Sequence, residues 1–75
     1  MKATALRDKI ASLATHILFD YNGKSCGIDP ISASHIDIWY GDSAMTANSV
    51  EEAMQTPLFD GMSLTDICEL MQNVQ

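Results

Sequence analysis

Along His35-Ile36-Asp37-Ile38-Trp39-Tyr40 the side chains alternate with a period of two, and that alternation predicts a strand. Ile36, Ile38 and Tyr40 share one face, suited to a core. His35, Asp37 and Trp39 share the other, which carries the groups with obvious chemistry. Upstream, Asn22-Gly23 meets the demand of a two-residue type I′ hairpin turn for positive φ at both central positions. Setting Tyr21 opposite Lys24 then places Phe19 across from Cys26 and Ile17 across from Ile28 on one apolar face. Leu18 with Gly27 and Asp20 with Ser25 fall on the other face. Asp29-Pro30 predicts the end of the second strand near Ile28, because proline lacks the backbone donor and restricts its predecessor. A loop is expected from there to Ser34, so that residues 17–40 make a three-stranded antiparallel meander.

The flanks read as helices. Leu6, Ile10, Leu13, Ala14 and Ile17 recur at helical spacing, predicting a first helix from about Ala3 to Thr15 or His16. Asp42 to Asn48 shows no sustained period and is expected to be a loop. Ser49-Val50-Glu51-Glu52 has the form of a capping box, and Pro57 limits the helix it opens to about two turns. Ser63 and Asp66 repeat that signature, predicting a last helix from about Leu64 to Asn73. Its apolar residues Leu64, Ile67, Cys68, Leu70, Met71 and Val74 span an arc of roughly 160° at about 100° per residue. That stripe is wider than one sheet face requires. The expected fold is a single α+β domain over residues 1–75, in the order α-β-β-β-α-α, with helices on one sheet face.

Size and charge narrow the classes of function. A 75-residue chain buries only about 60% of its unfolded surface and has a stability of about 4 to 11 kcal/mol. Self-association would be a natural supplement. The net charge is −6, and the four basic groups all lie within residues 1–24, while eight of the ten acidic groups follow with no Lys or Arg among them. An acidic surface of this kind disfavours nucleic acid and anionic membranes and suits a basic partner. Cys26 and Cys68 have no CxxC spacing or companion histidine pair, so no metal site or cofactor is expected and both read as small apolar residues. Arg7, Asp8, Lys9 and His16 interrupt the apolar positions of residues 1–19, leaving no signal-peptide core or membrane span. A cytoplasmic, reduced setting is therefore the expectation.

No catalytic constellation stands out. The scattered glycines make no phosphate cradle, and His16 has no second histidine one turn away. The leading expectation is a non-enzymatic interaction module whose partner is a protein or a second copy of the chain in a homodimer. Its candidate contacts are Trp39, Leu70, Met71 and Val74. A large aromatic on an otherwise polar strand face must be capped, here by residues 42–48, or be available to a partner. The competing expectation is a small enzyme or ligand-binding domain using His35 and Asp37 with Asp20 or Tyr40, with the second subunit of a dimer available to complete it. A carboxylate beside an imidazole raises its proton affinity and fixes its tautomer.

Overall fold

The computed structural model describes residues 1–13 and 16–75. Helix α1 (Ala3–Ala11) precedes strands β1 (Ile17–Tyr21), β2 (Lys24–Ser32), β3 (His35–Tyr40) and β4 (Ser43–Ala47), followed by helices α2 (Val50–Gln55) and α3 (Leu64–Ile67). A 3₁₀ turn over Cys68–Leu70 continues α3. The strands form one antiparallel sheet in the order β1-β2-β3-β4. The β1–β2 hairpin has the register that Asn22-Gly23 dictates, from Tyr21 opposite Lys24 to Ile17 opposite Ile28, with φ of 53° and 76° at the two turn residues. Both predicted helix starts hold, with the full capping box at Ser63 and only its serine half at Ser49. Ser49 accepts from the Glu52 amide and Ser63 from the Asp66 amide, and Asp66 reaches back to the Ser63 amide. Glu52 reaches one residue further back than a capping box requires, accepting the Asn48 N–H at 2.8 Å.

The α+β class stands, but the sheet has four strands and the element order is α-β-β-β-β-α-α. Residues 43–47 are β4, not a loop. Gly41, at φ 57°, supplies the positive φ that a second two-residue hairpin turn needs between Tyr40 and Ser43. Ser-Ala-Met-Thr-Ala has little strand propensity of its own; the exposed ladder of β3 recruits it. β2 likewise runs through Pro30 to Ser32. The Gly41 amide donates to the Ser25 carbonyl at 3.0 Å, which makes Gly27–Trp39 and Asp29–Asp37 the hydrogen-bonded pairs of β2 and β3. Pro30 therefore falls at a position whose N–H would point toward β1, and among the described residues the β1 pairing runs only to Ile28. The missing donor interrupts none of the described ladder bonds. A bulge between Pro30 and Ser32 leaves Ile31 exposed.

Two helix lengths also change. α1 stops at Ala11, Ser12 caps it, and Leu13 turns into the left-handed region at φ 56° with its side chain exposed. Ala14 and Thr15 lie outside the described residues. The last helix ends its α-helical part at Ile67 rather than near Asn73, because the following backbone bonds to the edge of β1 instead of to itself. Asp20 and Gln72 exchange both amide–carbonyl bonds, at 2.8 and 2.9 Å, and the Gln75 amide donates to the Leu18 carbonyl at 2.8 Å.

All helices lie against one sheet face. Leu6 and Ile10 from α1, Ala53 and Met54 from α2, and Leu64, Ile67 and Cys68 meet Ile17, Phe19, Cys26, Ile28, Ile36, Ile38 and Tyr40 in one buried cluster. Phe59, in the α2–α3 connection, is wholly buried at its centre. Its ring lies 6.1 Å from Phe19, 6.2 Å from Tyr21 and 5.3 Å from Tyr40.

Candidate functional site

Among the described residues no helix covers the other sheet face, which is built from the alternate residues of each strand. Cross-strand pairing sets Leu18 beside Gly27, Gly27 beside Trp39, and Trp39 beside Ala44, giving an apolar band across all four strands. A second row runs Asp29, Asp37, Thr46. Trp39 is half-buried because its ring lies flat on Gly27, where an added Cβ would meet Trp39 Cζ2 at 2.0 Å. Here the missing side chain is the seat for the ring. Residues 42–48 form a turn and a strand beside Trp39 rather than a cap over it.

The ring separates two shallow depressions. One, of about 340 Å³, is bordered by Asp29, Asp37, Trp39, Ala44 and Thr46. The other, of about 240 Å³, lies between Trp39 and the C-terminal segment, with Leu18, Asp20, Ser25 and Asn73 on its border. Asp20 is held by the Asn73 side-chain amide at 2.8 Å. Cys26 also borders this second depression, but burial pushes its thiol pKa up, so the nucleophilic thiolate is scarce.

The charges on this face have one sign. Asp29 and Asp37 sit directly opposite each other on neighbouring strands, an arrangement that costs a sheet stability. Asp37 Oδ1 accepts from Thr46 Oγ1 at 2.8 Å and contacts His35 Nε2 at 3.1 Å. Among the described residues no Lys or Arg shares the face. Arg7 on α1 donates to Glu51 at 2.5 Å on the helix side, a contact that raises the guanidinium pKa and lowers that of the carboxyl. Lys24 lies over the Tyr40 ring at 4.7 Å from its centroid, on the covered face.

Of the residues singled out from sequence, His35 and Asp37 come together and the others separate. His35, Asp37, Trp39 and Asp20 all lie on the open face, but Asp37 and Asp20 border different depressions and His35 borders neither; its side chain is 51% exposed at the rim. Tyr40 projects to the opposite face. Its hydroxyl donates to Asp60 at 2.6 Å and accepts from Asn22 at 3.0 Å, tying the hairpin tip to the α2–α3 connection. The bond to Asp60 raises the Tyr40 pKa, since the phenol must lose its donated proton to ionise. Leu70, Met71 and Val74 share no helical stripe: Leu70 is exposed, Met71 is buried in the core, and Val74 packs against the core from the extended segment. Gly27, which the hairpin register had placed on this face, and Asp29, read as the end of the second strand, were not singled out as site residues from sequence. Their signal lay in the register of β2 against β3, since a glycine opposite a tryptophan and an aspartate opposite an aspartate are both informative once paired.

Among the described residues no group of three or more His, Cys, Asp and Glu is placed to hold a metal ion, and no helix is long and apolar enough to cross a membrane. Compared with protein-family models, curated proteins and solved structures, the chain matches none.

Proposed function

We propose that this chain is a small non-enzymatic interaction module that binds a basic protein segment on its open sheet face. The observation that carries this reading is the pairing of Asp29 with Asp37 beside the half-buried ring of Trp39, with no Lys or Arg among the described residues of that face. Asp37 has local partners in Thr46 and His35, but Asp29 opposes it with like charge, and a neutral residue at Asp29 would be more stable on a face with no ligand to serve. A Lys or Arg side chain from a partner neutralises the pair and stacks on the indole, where a cation gains about 0.5 to 2 kcal/mol depending on how far it is desolvated. Arg satisfies both demands best, through a planar fork that bonds carboxylates and lies flat on aromatic rings.

The test uses Trp39, the chain's single tryptophan, as its own reporter. Titration with an oligo-arginine peptide is expected to change its fluorescence saturably, with affinity falling as salt rises. Asp37→Asn and Asp29→Asn should each weaken binding severalfold. A matched oligo-glutamate peptide should do nothing. Equal responses to the two peptides, or full affinity in both Asn variants, would overturn the reading.

A further inference from the structure

The two edges of the sheet are treated differently. On β1 the backbone groups that face away from β2 belong to Leu18 and Asp20, and the segment Gln72–Gln75 bonds to both. On β4 the alternation set by the β2–β3 pairs turns the N–H and C=O groups of Ala44 and Thr46 away from β3. Among the described residues no backbone group pairs with them. β4 also lacks the usual guards of an open edge. It contains no Lys, no Pro, no other charged residue and no bulge. The same two residues, Ala44 and Thr46, border the depression that holds Trp39, Asp29 and Asp37.

We infer that β4 is a strand-addition edge, and that the basic partner binds as an extended segment forming a fifth strand along Ala44–Thr46. This rests on the proposed binding of a basic segment to the open face and specifies how that segment arrives. In an added strand every second side chain points to the open face. A long cationic side chain at such a position lies next to Thr46, one strand from Asp37, and reaches over it toward Asp37 and the Trp39 ring. Backbone bonding supplies affinity without regard to sequence, and the carboxylates select the cationic side chains. A second copy of the chain is the less favoured occupant. β4 carries no cation to offer, and each copy brings a net charge of −6 to the junction.

The experiment compares two peptides with alternating Arg and Val. One has free amides and the other is N-methylated on the edge that would face β4. The free peptide is expected to bind and to slow hydrogen exchange at the Ala44 and Thr46 amides. The methylated peptide should bind about tenfold more weakly, as expected for losing two backbone hydrogen bonds. Equal affinity of both peptides, with unchanged exchange at Ala44 and Thr46, would overturn strand addition while leaving the open-face reading intact. Failure of both to bind would overturn the two together. Light scattering that gives a dimer without peptide, with the same two amides already protected, would assign the edge to a second copy and overturn the proposal.

Discussion

The two faces of this sheet are made by alternate residues of the same four strands, yet they are built by opposite rules. The covered face gathers Ile17, Phe19, Cys26, Ile28, Ile36, Ile38 and Tyr40 beneath three helices and the buried ring of Phe59. The open face carries a band of Leu18, Gly27, Trp39 and Ala44, with Asp29 and Asp37 on one side of it and Asp20 on the other. The first face is a solution to burying enough apolar area in a short chain. The second keeps a large aromatic half-exposed and opposes like charges, neither of which helps the fold. Stability and recognition are thus separated by the pleat itself, and substitutions on the two faces should report on different properties.

The largest expected difference is between two aromatic truncations. Phe59→Ala empties the centre of the core and should cost about 3–5 kcal/mol, a large share of a total of about 4–11 kcal/mol. Trp39→Ala removes a bigger side chain from a half-buried position and should cost only about 1–2 kcal/mol, while abolishing the binding of cationic peptides, followed by calorimetry because the variant has no tryptophan to report it. Urea unfolding followed by circular dichroism, which does not depend on the tryptophan, measures both. Equal losses would mean that the open face is as much a packing surface as the covered one.

Gly27→Ala sharpens the comparison from the other side. A methyl group there would sit inside the Trp39 ring, so the ring must lift from the sheet or the strands must shift. Overpacking of this kind costs about 1–3 kcal/mol. The fold should survive with Trp39 emission moved to the red, since the displaced indole meets more water. A variant with unchanged stability and emission would show that the ring is not seated on Gly27.

The covered face was far more legible in the sequence than the open one. The hairpin register follows from Asn22-Gly23 and the spacing of Ile17, Phe19, Cys26 and Ile28, because turn chemistry and apolar period specify the same pairing. β4 was hidden for a physical reason. Its residues are small or flexible, and what makes them a strand is the neighbouring ladder, which a local pattern does not record. Pro30 misled for a similar reason, since whether a strand tolerates proline depends on where its neighbour ends. The segment after Leu70 satisfied a helical period, yet its backbone bonds to β1, and Met71 and Val74 reach the core from there. On the open face the pairs Leu18–Gly27 and Asp20–Ser25 were visible, and the pairing of β2 with β3 was not. Asp37 and Trp39 stood out, but Asp29 and Gly27 acquire meaning only across the β2–β3 ladder.

The smallest effect separates the faces most directly. Asp29→Asn keeps the shape of the side chain and removes one of two opposed charges, so it should stabilise the protein, by about 0.2–1 kcal/mol. Asp37 is the poorer choice, because its carboxylate also accepts from Thr46 and contacts His35, and those interactions would be lost with the charge. The sign is the informative part. Most substitutions destabilise, and a gain identifies repulsion that the native fold tolerates. Raising the salt concentration should shrink the gain, as it does for any pair of charges open to solvent. The same variant should bind oligo-arginine more weakly, so stability and affinity move in opposite directions from one atom's change. If Asp29→Asn instead lowers stability, the carboxylate is serving the fold, and the open face has no charge held in reserve for a partner.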